Sequence, residues 1–460
     1  MARYNNLKTI HHWSAGYELV RIIVEFFFRS FYKRFESRNK ANVPKDVPVI
    51  LAPNHQNALM DALAILMTLH GQPVFLARAD MFKKKVFARI LHFFNIMPVF
   101  RMRDGVENLS QNDEIFDAAL TILHDKHQLC LMPEGNHGDK RKLRPLVKGI
   151  FRIAFMAQKE KGAIPFVKIV PVGIDYSNYS KFRQNLFVNF GKPIDVSEYF
   201  AQWEVSPAVS MNALRDRLSA EMSLIMIDIR SEKYYEEVLF LRTIYNDEML
   251  RRMKLKKGRL GNEHDADREM IRCIQCFEEE QQVKMEELAS NIAEYRKMLE
   301  KHNLRDWVVK LSDFSYTGIF LNRLFQKLFF LIFLYGFINN ALPYFIAARV
   351  AKKIKDIQFQ SSVKMGLGMI VFIIQFIVLA ILVFSFFSWY FAIAYLISIP
   401  VSGWITFNYY IWWKKTLAKL RFHSMPGGPG SDKFKLTELR NSIISTMNDI
   451  TEKYSKFRIL

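Results

Sequence analysis

Cysteine is scarce: the 460-residue chain holds three, Cys130, Cys273 and Cys276. That argues against a disulfide-stapled scaffold and for a reducing compartment. Cys273-Ile-Gln-Cys276 has the spacing of half a zinc site, but no second Cys or His pair accompanies it, so no metal is expected. Nor is a secretory leader expected, since Met1-Ala-Arg-Tyr-Asn-Asn-Leu-Lys8 contains no apolar run ending in small residues. There is no internal repeat. Acidic residues fall short as well, 45 against 65 Lys and Arg, for a formal net charge of +20. That surplus calls for an anionic partner, and charge alone admits DNA, RNA and anionic lipid surfaces. Many of the basic residues flank long hydrophobic segments, which selects a membrane lipid bilayer and leaves no nucleic acid expected.

What is abundant is phenylalanine, 40 residues against 19 glycines, crowded into the amino-terminal region and the stretch after Leu324. Residues 15–35 predict a helix with Leu19, Ile22, Ile23, Phe26, Phe27, Phe31 and Phe35 at three-and-four spacing. Glu18, Arg21, Glu25, Arg29, Lys33 and Arg34 make it too polar to span a bilayer, so residues 1–41 are expected to form an interfacial helix, the alternative being an ordinary helix packed on the next domain. Residues 42–205 alternate short apolar runs with helical patterns, the signature of an α/β domain. Strands are expected at Val47–Leu51, Pro73–Ala77, Ile96–Phe100, Gln128–Met132, Val167–Ile174 and Leu186–Phe190. Helices are expected at Ala58–Leu69, Lys83–Phe94, Glu107–His124 and Val147–Lys159. Ligands of open α/β sheets bind outside the carboxyl ends of the strands.

Several of these strands lead into residues with chemistry. Asn54-His55 through Asp61 follows the first strand, and an imidazole beside a carboxylate is the minimum equipment of a general base, although such a pair also suits a structural turn. Arg101, followed by Arg103, emerges from a strand where a guanidinium can grip a phosphate. In Pro133-Glu134-Gly135 a carboxylate sits in a Pro/Gly-shaped loop, able to bind a polyol hydroxyl or anchor a basic group. Pro171, in Val170-Pro171-Val172, suits an edge or a wall.

Taken in order, these four stretches resemble the motifs of the glycerophospholipid acyltransferase family, which moves a fatty acyl chain from a thioester carrier onto a glycerol phosphate acceptor. The resemblance implies that His55 is the general base and Asp61 its orienting partner. It further implies that Arg101, Glu134 and Gly135 bind the glycerol phosphate part, and that Pro171 lies near the acyl path. Arg103, Arg144 and Lys148 supply further cations for the phosphate. The donor would be acyl-CoA or acyl carrier protein as co-substrate, with no other cofactor. Five residues separate His55 from Asp61 where four are commoner, which resembles the branch of fungal glycerol-3-phosphate and dihydroxyacetone phosphate acyltransferases. Asn95 stands where Gly is usual, and Asn136 where Thr is usual. The expected activity is acyl transfer to glycerol-3-phosphate or dihydroxyacetone phosphate. The alternatives are a 1-acylglycerol-3-phosphate acyltransferase and an inactive membrane-anchored scaffold.

Residues 206–312 read as a helical hairpin without chemistry. Residues 313–421 form a membrane region in which 365–413 is a transmembrane hairpin dividing near Ser388-Trp389. Basic flanks at Lys364 and at Lys414-Lys415 place both of its ends in the cytoplasm, with the catalytic domain on that face. Residues 328–348 are apolar but interrupted by Asn339-Asn340 and Pro343 and carry basic flanks on both sides, which predicts a broken re-entrant or interfacial helix in preference to the alternative of a third span. Residues 422–460 follow as a linker and a cytoplasmic helix.

Overall fold

The computed structural model describes residues 7–100, 111–160, 166–312 and 314–456. It divides into two compact units, one of residues 1–228 with 356–362 and one of residues 229–355 with 363–460. The first boundary therefore falls later than the expected 205, and a short distant segment joins the first unit.

The first unit holds helix α1 (Ala15–Phe31), strand β1 (Tyr32–Arg38), β2 (Val49–Pro53), α2 (Leu59–Leu66), β3 (Val74–Arg78), α3 (Lys85–Phe93), β4 (Ile96–Val99) and α4 (Gln111–His124). It continues with β5 (Gln128–Cys130), α5 (Gly149–Glu160), β6 (Lys168–Tyr176), β7 (Gln184–Phe190), β8 (Ile194–Asp195), α6 (Phe200–Val205) and α7 (Pro207–Ile225). The strands form one sheet in the order β1-β7-β6-β2-β5-β3-β4, with β8 also on β6. Strands β6, β2, β5, β3 and β4 run parallel, and β7 turns back against β6. Ile50, Ala52, Val74, Met97, Leu129 and Ile169 form a core with residues of α4, α5 and α7. These strands are buried on both faces, which is why they read as unbroken apolar runs.

Two expectations need correction here. The amino-terminal helix stops at Phe31, and residues 32–38 form β1, parallel to β7. Tyr32 to Phe35 looked helical because Phe31 and Phe35 keep the spacing of the helix before them. The chain leaves the helix where Arg183 donates its backbone N–H to the Phe31 carbonyl. Nor is Pro171 an edge residue: it is buried inside β6, opposite Ala52 of β2. On the other side of β6 its carbonyl accepts from Gly191 N at 2.8 Å, in the gap between β7 and β8. The missing proline N–H faces that gap, so no ladder bond is lost.

The second unit is helical. It contains α8 (Tyr235–Arg252), α9 (Leu260–Glu280), α10 (Gln282–Lys301), α11 (Asp306–Lys310), α12 (Tyr316–Leu328), α13 (Phe330–Lys352), most of α14 (Ile357–Phe386), α15 (Trp389–His423) and α16 (Asp432–Tyr454). The hairpin expected at 206–312 is instead divided. Helix α7 buries Leu214, Leu218 and Met222 in the core of the first unit, while α8–α10 pack with the carboxy-terminal α16. Buried Asp306 fastens that packing, accepting from Tyr295 Oη at 2.9 Å and Arg440 Nε at 2.8 Å. Cys273 and Cys276 lie one turn apart on α9.

Three described helices, α13, α14 and α15, are long and apolar enough to cross a membrane. Helix α13 is continuous, contrary to the broken helix expected. Its asparagines are engaged: Asn340 Nδ2 donates to the Ile399 carbonyl at 3.1 Å, and Asn339 accepts from Tyr395 Oη and Gln375 Nε2. Polar groups facing neighbouring helices hold such helices together. Gly336 allows the close approach, since a Cβ there would lie 2.5 Å from the Ser402 carbonyl oxygen.

Candidate active site

Parallel β2 and β5 end beside one another, and the loops after them carry the candidate residues. After β2 the chain turns through His55, Gln56, Asn57 and Ala58 before α2 begins. Ala58 has φ 45° and ψ −124°, a conformation that suits glycine and is strained for alanine. This kink lies within the five-residue interval, between His55 and the Asp61 that opens α2.

Asp61 is fully buried. Its Oδ2 accepts from His55 Nδ1 at 2.9 Å, Gln56 N at 2.8 Å and Asn57 N at 2.7 Å. Its Oδ1 accepts from Tyr176 Oη at 2.8 Å. Four donors on one carboxylate require it to be ionised, and only a charge satisfied this fully is tolerated at such depth. With the carboxylate accepting, the proton of His55 sits on Nδ1, which leaves Nε2 as an acceptor with no partner among the described residues, on a side chain 18% exposed. Burial first, then the Asp61 charge, pushes the Tyr176 hydroxyl far up, so it stays a donor. The same two causes push the Cys130 thiol up, which disqualifies it as a nucleophile.

The loop after β5 closes over the histidine. Glu134 Oε1 accepts from His55 N at 3.0 Å, and Gly138 N donates to the His55 carbonyl at 3.1 Å. Glu134 Oε2 accepts from Arg144 Nε at 2.8 Å, and Arg144 Nη1 donates to the His137 carbonyl at 2.9 Å. Burial pushes the Glu134 carboxyl above its ordinary range, against the opposing pull of Arg144. Arg144 Nη2 is enclosed and has no partner among the described residues. Gly135 has φ 65°, and a Cβ there would stand 2.8 Å from Val147 Cγ1, so this turn requires glycine.

The expected residues thus fall into groups. His55, Asp61, Glu134, Gly135 and Arg144 come together. Both oxygens of Glu134 are engaged within the protein, on the His55 backbone and on Arg144. Lys148 is exposed just before α5, and Pro171 lies inside the sheet. Arg101 and Arg103 lie outside the described residues. Arg141, three residues before Arg144, is buried, its Nε 3.2 Å from Asp175 and its guanidinium 4.7 Å from the Tyr179 ring centroid. Asn95 stands at φ 55°, where asparagine is among the few side chains that tolerate what glycine does freely.

Sequence reasoning missed the residues that hold the turn. Asn54 ties it to β6, donating Nδ2 to the Ile174 carbonyl at 3.1 Å and accepting from Ile174 N at 2.6 Å. Gln56 accepts from Tyr179 Oη at 2.6 Å. The available signal was a cluster of amides, Asn54, Gln56 and Asn57, beside a strand-to-helix turn.

Comparison with known proteins identifies the family. A family model described as Acyltransferase matches residues 34–175, and one described as Glycerol-3-phosphate acyltransferase 2 C-terminal domain matches residues 244–446. Similar proteins include glycerol-3-phosphate O-acyltransferase 1 of Saccharomyces cerevisiae, 23% identical over 251 residues, covering 52% of this chain and 32% of that protein. Glycerol-3-phosphate O-acyltransferase 2 of the same yeast is 31% identical over 111 residues, 24% of this chain and 14% of that protein. Human 1-acyl-sn-glycerol-3-phosphate acyltransferase beta is 24% identical over 164 residues, 35% of this chain and 54% of that protein. The matched parts span about half or less of these relatives' lengths. The two family matches together take in most of the chain, which belongs to the glycerophospholipid acyltransferase family.

Proposed function

We propose that the protein transfers a fatty acyl group from a thioester carrier, acyl-CoA or acyl carrier protein, to a hydroxyl of glycerol-3-phosphate or dihydroxyacetone phosphate. The carrying observation is the His55–Asp61 pair, with Nδ1 committed to a buried carboxylate and Nε2 without a partner among the described residues. The acceptor hydroxyl gives its proton to Nε2 as its oxygen attacks the thioester carbonyl. The tetrahedral intermediate expels the thiolate, which takes the proton back from the imidazolium. No acyl-enzyme is needed. Arg144 supplies a cation beside the histidine for the acceptor phosphate, with Arg101, Arg103 and Lys148 as further candidates. The second family match, with its glycerol-3-phosphate description, favours that acceptor over 1-acylglycerol-3-phosphate.

The bilayer is the second proposed partner. Helix α1 exposes Leu19, Ile22, Ile23 and Phe26 while burying Tyr17, Val24 and Phe28, so it is apolar on two sides. Helix α3 adds exposed Val86 and Ile90 among Lys84, Lys85 and Arg89. Apolar rows framed by cations suit an anionic lipid surface. Chain parity supports the topology. Helices α9 and α10 precede the apolar helices, α16 follows them, and all three pack together. An even number of crossings therefore separates them. A crossing hairpin of α14 and α15 satisfies that parity, and Lys364 before it with Lys414 and Lys415 after it favours cytoplasmic ends.

The test is acyl transfer by the full chain in vesicles, with acyl-CoA and acyl carrier protein as donors. Glycerol-3-phosphate, dihydroxyacetone phosphate and lysophosphatidate are compared as acceptors. Glycerol-3-phosphate is expected to be used fastest, and His55→Ala to abolish transfer with expression and membrane insertion intact. Full activity in that variant removes His55 as the base.

A further inference from the structure

A segment remote in the sequence touches both loops around His55. Residues 356–362, which open α14, belong to the catalytic unit. Asp356 Oδ2 lies 2.8 Å from His137 Nε2. The carboxylate can only accept, so that nitrogen carries a proton. The His137 ring stands edge to face with His55, centroids 5.6 Å apart and planes at 88°. It also meets the Phe359 ring at 5.0 Å and 89°. A few residues on, Ser361 Oγ donates to Asn57 Oδ1 at 2.6 Å, with both residues fully buried. Asn57 is one of the backbone donors to Asp61. The segment thus grips the β5–α5 loop through His137 and the β2–α2 loop through Asn57.

From this geometry we infer that Asp356 is a positioning residue for acyl transfer, holding the His137 ring at right angles against His55 so that Nε2 stays aimed at the acceptor hydroxyl. The inference rests on the reading of His55 as the base. One carboxylate on Nδ1 fixes the tautomer but leaves the imidazole free to rock about that bond. A second ring packed perpendicular to it removes that freedom, and small losses of alignment at a reacting atom are costly. His137 touches neither reacting atom and acts only through His55.

Asp356 has a local duty as well, since its Oδ1 accepts from Gln358 N at 3.3 Å and caps the start of α14. The variants are chosen to separate the two. Serine at 356 caps a helix but is too short to reach His137. Asparagine caps it and still offers His137 a carbonyl oxygen.

The experiment measures kcat and both KM values for the full chain in phosphatidylcholine vesicles, with palmitoyl-CoA and glycerol-3-phosphate. It compares wild type, Asp356→Ser, Asp356→Asn, His137→Ala and the His137→Ala/Asp356→Ser double variant. Asp356→Ser is expected to lower kcat about 10-fold with both KM values within about 2-fold, the pattern of lost transition-state alignment. Asp356→Asn is expected to recover most of kcat. The double variant is expected to be no slower than His137→Ala, because the two residues act in series. Wild-type kcat in Asp356→Ser overturns the inference, as does a loss in Asp356→Asn equal to that in the serine variant. So does a double variant in which the single losses multiply. An active wild type with a dead His55→Ala and an unaffected Asp356→Ser overturns the positioning role alone. An inactive wild type, or an active His55→Ala, overturns the proposed chemistry and this inference with it.

Discussion

Replacing Asp61 by asparagine removes a charge while keeping a shape. The asparagine side chain can direct its carbonyl oxygen at Gln56 N, Asn57 N and His55 Nδ1, and its amide at the Tyr176 oxygen. The turn and the histidine tautomer are therefore expected to survive. What is lost is the stabilisation of the imidazolium that forms as the acceptor hydroxyl gives up its proton. At the observed 2.9 Å, a full pair of charges at an effective dielectric constant near 20 interacts by about 6 kcal/mol. Asp61 already shares its charge among three other donors, so about half of that is a fair share for His55. Some 3 kcal/mol corresponds to roughly a hundredfold in rate. Asp61→Asn should thus lower kcat about 100-fold at saturating substrates, with the thermal midpoint near that of wild type. The midpoint is needed as a control because Asp61→Ala would strand four buried donors and unfold the turn. A kcat within about 3-fold of wild type in a folded Asp61→Asn protein would refute the argument that this carboxylate stabilises the imidazolium.

Other outcomes follow from the same geometry. Arg144→Ala and Arg144→Lys should both raise the acceptor KM about 10-fold with kcat little changed, because lysine keeps the charge but loses the fork that spans Glu134 and the His137 carbonyl; an unchanged KM removes Arg144 from the phosphate site. Ala58→Gly should stabilise the protein by about 1 kcal/mol in thermal or denaturant unfolding, since it relieves the strain at φ 45°, and a loss of stability would contradict that strain. Glu134 has its folded-state proton affinity raised by burial, so the folded protein holds this proton more tightly than the unfolded chain does. Stability from this group is greatest below the ordinary glutamate range and falls as pH rises through and just above it. Glu134→Gln should flatten that part of the stability profile measured by thermal unfolding, and an unchanged profile would show that the carboxyl is not perturbed.

The strands of the sheet centre were legible because parallel strands buried on both faces leave continuous apolar runs, as at Val49–Leu51 and Ile169–Val170. β1 was not, because an edge strand of sequence Tyr-Lys-Arg-Phe-Glu-Ser-Arg has neither a run nor an alternation. Its pairing with β7 is decided 150 residues away in the sequence, where Arg38 and Asn39 both bond Asn189. In the site, His55 and Asp61 could be read from their own turn, since that pairing is local. The double duty of Glu134 could not, because its partners are a backbone N–H and an arginine whose direction depends on the loop. Asp356 left no mark at all: nothing near it in sequence hints at a histidine 219 positions earlier.

The break in the catalytic unit also sets an order of events during synthesis. Among the described residues, every strand of the sheet has been synthesised by residue 195, so the sheet can form well before the later helices are made. Ser361, the hydroxyl that completes Asn57, lies 304 residues behind its partner and emerges only after α13 has been translated. A nascent chain therefore carries a finished sheet with an unfinished turn until α13 has been made.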